Sequence, residues 1–283
     1  MDRLQTIIES KRMEIESRRA VVPVEELRRR PLYQLPVRSL CRSLKAAYPA
    51  AVIAEFKRRS PSAGAIGEGV AGADPLDAVR QVAKAYEKAG AAALSVLTDE
   101  PFFGGSPADL TAAKAATKLP VLRKDFIIDP YQVEEARAMG ADAILLISEC
   151  LDRDEISRLA RLARRLNLEV LLELHSPDQL DKIVSGVDVV GVNNRDLSDF
   201  SIDVNRSLGI RRELQERVDQ QTNGAMIISE SGFVFADQAV PCVEAGFQGF
   251  LIGSAFMGTE NPGESCARFI TDLNEHFKTS HES

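Results

Sequence analysis

Lys124 is the residue of this sequence whose surroundings point most directly to chemistry. It follows a short apolar run, residues 119–122, that predicts a buried strand, and Phe126 to Ile128 continue the apolar character beyond it. Because a lysine in such surroundings is poorly hydrated, its pKa is expected to fall toward a range useful for catalysis. Lys124 is therefore a candidate catalytic group, and the alternative is an ordinary surface lysine at a strand end.

Three further charged residues end apolar runs in the same way. Glu55 and Lys57 lie two residues apart, so in a strand their side chains face the same way, and Glu173 follows the run 168–172. Opposite charges close together would keep the carboxylates ionised and the lysines protonated, against the effect of burial. The set predicts a catalytic site, although any single member could belong to a structural ion pair.

The overall composition limits the partners and the cofactors to be expected. The formal net charge is −7, and such an acidic chain is a poor candidate for general nucleic-acid binding. No two of the four cysteines have C-x-x-C spacing, and two of the three histidines lie in the last eight residues, so no zinc site is expected. Free thiols, no signal peptide and no long apolar segment predict a soluble cytoplasmic protein without contact to a membrane.

These residues need a scaffold, and the pattern of the chain predicts one. From residue 51 onward, apolar runs alternate with helical patterns eight times. The predicted strands are 51–56, 92–97, 119–122, 142–147, 168–172, 187–192, 225–229 and 248–252, and the predicted helices after them are 76–89, 107–117, 131–139, 153–166, 177–184, 204–217, 236–245 and 262–277. Eight such units predict a parallel (β/α)8 barrel, a TIM barrel. A doubly wound open sheet is the main alternative, and the lack of G-x-G-x-x-G after the first strand disfavours it.

The first fifty residues precede this regular part. Residues 3–19 have a helical pattern, and a proline-containing stretch of short helix and linker follows. We therefore expect an N-terminal helical extension, 1–50, packed on a catalytic barrel, 51–283, as a single domain overall.

In a barrel of this kind the active site lies at the C-terminal ends of the strands. Besides the four charged residues, the sequence places there Asn193, Asn194, Arg195, Glu230, Ser231, Gly232, Gly253 and Ser254. The two Gly-Ser pairs follow the seventh and eighth strands, where such barrels bind phosphate through backbone N–H groups. The alternative is two ordinary glycine turns.

Two loops could complete this site. Phe102 and Phe103 stand beside glycines and could form an aromatic wall over a ring-bearing substrate, or a hydrophobic plug on the rim. The long loop that begins at Ser60 could be a lid or a simple excursion.

The sequence resembles the indole-3-glycerol-phosphate synthase family of tryptophan biosynthesis. The stretches that carry the resemblance are Ile53–Ser62, Leu94–Thr98, Phe103–Ser106, Leu119–Asp129, Asn193–Leu197, Ser229–Gly232 and Leu251–Ser254. They occur in barrel order, and the resemblance as a whole extends from the N-terminal helix to the last helix. The resemblance implies a carboxy-lyase that needs no cofactor and converts 1-(2-carboxyphenylamino)-1-deoxyribulose 5-phosphate to indole-3-glycerol phosphate. It also makes other enzymes of the tryptophan pathway the expected protein partners.

The resemblance also implies roles for individual residues. Lys124 would be the general acid of ring closure, and Glu173 would act in the later dehydration. Glu55 would take a proton or stabilise positive charge on the anilino nitrogen, and Lys57 would pair with Glu55 and reach the phosphate or share in the dehydration. The residues expected to bind or orient the substrate are Asn193 and Ser231 at hydroxyl groups, Arg195 and Ser60 at the carboxylate, Gly232, Gly253 and Ser254 at the phosphate, and Phe103, Phe126 and Glu230 elsewhere on the molecule.

The sequence departs from the family pattern at two points. Ser62-Ala63-Gly64 has no lysine after the serine, and His175 varies the apolar residues that surround the glutamate at 173. No proposed acid or base is missing, so an active enzyme is expected, and since the chain ends after the eighth helix, no fused phosphoribosylanthranilate isomerase domain is expected. The competing hypotheses are another phosphate-binding barrel enzyme, such as phosphoribosylanthranilate isomerase, and a non-catalytic barrel that binds a sugar phosphate.

Overall fold

Eight parallel strands close into a barrel. The computed structural model describes residues 3–47, 49–60, 64–65, 74–196 and 201–279, so Pro61 to Ala63 and most of the predicted lid loop lie outside the described residues. The strands are β1 Ala51–Phe56, β2 Arg59–Ser60, β3 Gly64–Ala65, β4 Ala93–Leu97, β5 Val121–Lys124, β6 Ala143–Ile147, β7 Glu169–Leu174, β8 Val189–Asn193, β9 Met226–Glu230 and β10 Gly249–Ile252. The barrel order is β1-β10-β9-β8-β7-β6-β5-β4, and β2 pairs with β3 apart from it. The closed order confirms the predicted (β/α)8 barrel and excludes the open sheet.

Helices surround the barrel and precede it. The α-helices are α1 Arg3–Val21, α2 Val24–Leu27, α3 Leu40–Lys45, α4 Pro75–Ala89, α5 Glu100–Phe103, α6 Pro107–Ala116, α7 Pro130–Met139, α8 Arg153–Arg165, α9 Asn205–Gln221, α10 Val240–Glu244, α11 Ser254–Met257 and α12 Pro262–Thr279. Among the described residues, 3₁₀-helices cover Pro31–Gln34, Pro177–Lys182 and Ala236–Gln238. Within the described ranges, no helix is both long and apolar enough to cross a membrane.

Local sequence explains where the helices differ from the prediction. The single helix predicted over 236–245 is a 3₁₀ turn followed by α10, because Pro241 has no N–H to donate to a carbonyl of the preceding turn. The helix predicted over 177–184 is a short 3₁₀-helix that ends where Ile183 adopts an extended backbone and is buried.

Two strands end two residues later than predicted, and this bears on the site. The third and fifth barrel strands were predicted to stop at residues 122 and 172, whereas β5 includes Lys124 and β7 includes Glu173. Lys124 pairs with Leu97 of β4, and Glu173 pairs with Ile147 of β6. Both charged residues, which the sequence places at the strand ends, continue the strands, and their side chains are directed into the barrel mouth.

The alternation of side chains along each strand separates two cores. In β1, Val52, Ala54 and Phe56 belong to the core between strands and helices, whereas Ile53 belongs to the core inside the barrel. The inward residues that lie directly below the barrel mouth come from alternate strands of the barrel, one from each. They are Ile53, Leu122, Leu171 and Ile228. The residues two positions further along these strands are therefore directed into the mouth.

Candidate active site

Four charged side chains from alternate strands form one layer at the barrel mouth. They are Glu55 of β1, Lys124 of β5, Glu173 of β7 and Glu230 of β9, and each follows an inward apolar residue by two positions. Layers built from alternate strands are the usual way a (β/α)8 barrel is filled. Here the uppermost layer is ionic, and its three carboxylates are each less than 7% exposed.

Lys124 lies at the centre of this layer. Its Nζ donates to Oε2 of Glu173 at 2.6 Å and to Oε2 of Glu230 at 2.8 Å. Burial disfavours the charged form, but the two carboxylates outweigh it and hold the pKa of Lys124 above its usual value. The sequence predicts two opposing effects on the pKa of Lys124, burial and nearby carboxylates, and does not decide between them; in the structure the carboxylates prevail, so the lowering expected from burial alone does not occur. Lys124 carries its proton at neutral pH and is available as an acid.

The two carboxylates around Lys124 differ in protonation. Glu173 also has Asn193 Nδ2 and His175 Nε2 at 3.1 Å from its Oε1. Burial alone would raise its pKa, but Lys124 and His175 hold the pKa of Glu173 well below its usual range. For Glu230, burial prevails over the attraction of Lys124, and the charge of Glu173 adds to it, so that its pKa is raised to about 8. Lys124 therefore stabilises the charge of Glu173 more than that of Glu230, and Glu230 takes up a proton more readily.

Glu230 occupies a space that a glycine provides. A Cβ atom on Gly191 of β8 would lie 2.0 Å from Oε1 of Glu230. Among the described residues, this Oε1 has no hydrogen-bond partner. Any side chain at position 191 would therefore displace the carboxylate from Lys124.

A second ion pair lies across the mouth. Nζ of Lys57 donates to Oε1 of Glu55 at 2.9 Å, as expected for residues two apart at a strand end. A Cβ atom on Gly253 would lie 2.4 Å from Oε1 of Glu55 and 3.0 Å from Nζ of Lys57. The glycine after β10 thus leaves room for this pair, because a larger residue would displace the ends of both side chains.

The structure brings the predicted residues together around one cavity at the mouth. The predicted residues that border it are Glu55, Lys57, Phe103, Lys124, Phe126, Glu173, Asn193, Arg195, Glu230, Ser231, Gly232, Gly253 and Ser254. The side chain of Ser60 lies outside the described part of the structure. In the described ranges, no group of three or more His, Cys, Asp or Glu side chains is placed to hold a metal ion.

The end of the cavity predicted to bind phosphate has an unusual backbone. Ser231 and Gly232 both have positive φ, 66° and 92°, and the Ser231 carbonyl accepts from Nδ2 of Asn194 at 3.0 Å. A Cβ atom on Gly232 would lie 2.7 Å from Ile202 Cγ2. Both this close contact and the positive φ therefore favour glycine at position 232. A non-glycine residue in the left-handed region is strained, and such strain concentrates at functional sites.

The opposite wall is aromatic. The rings of Phe103 and Phe126 have centroids 6.3 Å apart and planes inclined by 40°. Both border the cavity, whereas Phe102 does not. Phe102 and Phe103 pack against the same apolar cluster, which includes Ile7 of α1.

Sequence reasoning did not assign a role to His175 or Gly191. His175 was noted only as a departure from the family pattern, yet it contacts Glu173 directly. The signal was available, because Glu173 and His175 have the same two-residue spacing at a strand end as Glu55 and Lys57. Gly191 had no such signal, since its importance depends on a side chain from the neighbouring strand.

Lys124 is kept protonated between two buried carboxylates at the mouth of a closed (β/α)8 barrel. This arrangement places the chain among the barrel enzymes that work by general acid–base catalysis. Comparison with known families narrows the class. The family model described as indole-3-glycerol phosphate synthase matches residues 4–269. The chain belongs to this family, which confirms the resemblance, the carboxy-lyase class and the place in tryptophan biosynthesis expected from the sequence.

Individual relatives agree over most of their length. An indole-3-glycerol phosphate synthase of Bacteroides thetaiotaomicron is 42% identical over 95% of this chain and 98% of its own. One of Syntrophobacter fumaroxidans is 41% identical over 92% of this chain and 94% of its own. Among solved structures, the tryptophan synthase subunit alpha of Legionella pneumophila aligns with 85% of this chain and 97% of its own at a TM-score of 0.56, with 13% identity. That likeness shows the shared barrel fold alone.

Proposed function

We propose that this protein converts 1-(2-carboxyphenylamino)-1-deoxyribulose 5-phosphate to indole-3-glycerol phosphate, with loss of CO2 and water. The observation that carries the proposal is Lys124, held protonated by Glu173 and Glu230 in a buried layer of the barrel mouth. Membership of the family supplies the substrate and the reaction. The two competing hypotheses, an isomerase and a non-catalytic barrel, have no comparable observation in their favour.

Ring closure comes first in the proposed mechanism. The ring carbon that bears the carboxylate attacks the ketone carbon, and Lys124 gives its proton to the ketone oxygen, which becomes a hydroxyl group. The attack leaves a positive charge on the anilino nitrogen and interrupts the aromatic ring. Glu55, ion-paired with Lys57 at the end of β1, is the group that we assign to stabilise that charge.

Decarboxylation and dehydration follow. The bond to the carboxylate breaks, CO2 leaves, and its electron pair neutralises the nitrogen and restores the aromatic ring. The new hydroxyl group then leaves as water, with a proton from an acid, while a base removes a proton from the adjacent carbon. Glu173 is the group we assign to this acid–base step, with Lys57 as its partner. Each acid or base of this kind contributes typically about 10²–10⁴-fold to the rate.

Binding groups are assigned to the two ends of the cavity. Arg195, with Ser60, binds the carboxylate that is to be lost, and Phe103 and Phe126 contact the anthranilate ring. At the other end, the backbone at Gly232, Gly253 and Ser254 binds the phosphate. Asn193 and Ser231 orient hydroxyl groups, and Asn193 also fixes Glu173 through the hydrogen bond described above.

Three broader features belong to the same proposal. Residues 1–50 form an extension on the barrel of residues 51–283, and the two fold together as one domain. The protein acts in the cytoplasm on a small-molecule substrate. It also contacts other enzymes of the tryptophan pathway, which co-sedimentation with a tryptophan synthase subunit alpha from the same source would test.

The direct experiment mixes purified protein with the ribulose phosphate substrate and follows indole fluorescence. The expected result is a signal that grows in with time and that a Lys124→Ala variant of equal helical content does not produce. Folded wild-type protein that yields no indole product would overturn the proposed function.

A further inference from the structure

Lys11 of α1 is a buried lysine outside the substrate cavity. It is 2% exposed, and its Nζ lies 2.8 Å from Glu14 Oε2 and 3.0 Å from both Asp99 Oδ2 and Asp125 Oδ1. Burying an ion pair contributes little stability, since apolar residues of similar volume are often as stabilising or more so. The location of the two aspartates suggests another reason for the lysine.

Asp125 connects Lys11 to the proposed general acid. It follows Lys124 directly, and its Oδ1 forms an ion pair with the Lys11 ammonium at 3.0 Å and accepts the N–H of Phe126 at 2.8 Å. Its Oδ2 accepts from Thr98 Oγ1 at 2.6 Å and from Arg123 Nη2 at 2.9 Å. The residues on both sides of Lys124 are therefore held by side-chain contacts, while Lys124 itself points into the barrel mouth.

Asp99 connects Lys11 to the aromatic wall. Its Oδ1 caps α5 by accepting the N–H groups of Phe102 and Phe103 at 2.9 and 3.2 Å, while its Oδ2 meets Lys11. The same ammonium therefore holds the segment that carries Phe103 and the segment that carries Lys124 and Phe126. Apolar residues of α1, including Leu4 and Ile8, pack against the same cluster as these rings.

We propose that Lys11 is a positioning residue for the reaction: from outside the cavity it fixes Lys124 and the Phe103–Phe126 wall relative to each other. It contacts no substrate and transfers no proton. This inference rests on the proposed function, since it assigns Lys124 and the rings the roles given above. A displacement of about 1 Å in a catalytic group can lower a rate by about 10²-fold, so an anchor of this kind has measurable consequences.

The test compares substitutions at Lys11 with a control on the same helix. Lys11→Met removes the ammonium but fills much of the volume, Lys11→Arg keeps a positive charge, and Arg12→Met changes a neighbouring exposed residue. We expect Lys11→Met to lower kcat by about 10–100-fold per folded molecule, with a smaller rise in KM, at a temperature well below unfolding. Lys11→Arg should recover part of kcat, and Arg12→Met should match the wild type.

A merely structural role for Lys11 gives a different result. Lys11→Met would then lower the unfolding temperature but leave kcat per folded molecule unchanged, and that outcome overturns the inference. If Lys11→Met does not fold, Lys11→Gln, which keeps a polar group at the cluster, is measured by the same criterion. Wild type and Arg12→Met report on the proposed function itself, because both would be inactive if it were wrong.

Discussion

Nζ of Lys124 lies 2.6 Å from Oε2 of Glu173, and this ion pair sets the protonation of both groups before a substrate binds. The lysine keeps a proton to give, and the carboxylate is ready to accept one. The pair joins β5 to β7, which are two strands apart around the barrel. The proposed acid of ring closure and the proposed acid–base group of the dehydration are thus held in direct contact at the barrel mouth.

Substitution of Lys124 tests the acid in this pair. Lys124→Ala removes the only proposed proton donor to the ketone, so we expect turnover to fall by at least about 10²–10⁴-fold. Product binding should remain within a few-fold of wild type, since the proposed phosphate and ring contacts are untouched; calorimetric titration with indole-3-glycerol phosphate measures it. Lys118→Ala, at an exposed lysine just before β5, is the matched control. Unchanged turnover in Lys124→Ala would remove this lysine from the mechanism.

The sequence predicts the barrel and the residues of the candidate site more fully than it predicts the protonation states of those residues. Apolar runs and helical patterns locate the strands, and the parity of Glu55 and Lys57 follows from spacing alone. The protonation of Lys124 does not follow, because it depends on which carboxylates come within 3 Å from other strands. The desolvation of Lys124 can be expected from the apolar residues beside it in the sequence. The electrostatic effect of Glu173 and Glu230 on Lys124 arises only when the barrel closes and brings these strands together.

The raised pKa of Glu230 gives a pH-dependent stability. Because its folded-state pKa, about 8, exceeds the ordinary value of 4.5, the native state binds the extra proton between these limits. The contribution of Glu230 to stability is therefore fully present below about pH 4.5 and is lost as pH rises toward 8. Glu230→Gln keeps a neutral side chain of similar shape, so relative to wild type it should gain on the order of a few kcal/mol between pH 5 and pH 8.5. Urea unfolding at both values measures this, and parallel pH profiles for the two proteins would mean that Glu230 is ionised throughout.

Gly191 tests whether the position of Glu230 matters for catalysis. In Gly191→Ala the new methyl group displaces the end of a flexible side chain rather than backbone, so the protein should fold. The displaced carboxylate can no longer hold Lys124 in place, and kcat should fall by about 10²-fold. Gly209→Ala is the matched control, because nothing lies within 4 Å of a Cβ atom at that helical position. Stopped-flow turnover of both variants decides the question, and a fully active Gly191→Ala would show that Lys124 does not need Glu230.

His175 is the remaining partner of Glu173, and substitution of His175 should shift the acid limb of the pH profile of kcat/KM. With Nε2 at 3.1 Å from Oε1, the imidazole is one of the groups that hold the pKa of Glu173 below its usual range. His175→Leu removes that contribution while burial remains, so the pKa of Glu173 should rise. If the acid limb of kcat/KM reports Glu173, it should shift to higher pH in this variant, with a loss of about tenfold in rate near neutrality.

His175→Gln keeps an amide donor and should restore part of the rate, whereas His276→Leu, at an exposed histidine of α12, should behave as wild type. Identical acid limbs in wild type and His175→Leu would show that Lys124 and Asn193 suffice to keep Glu173 ionised.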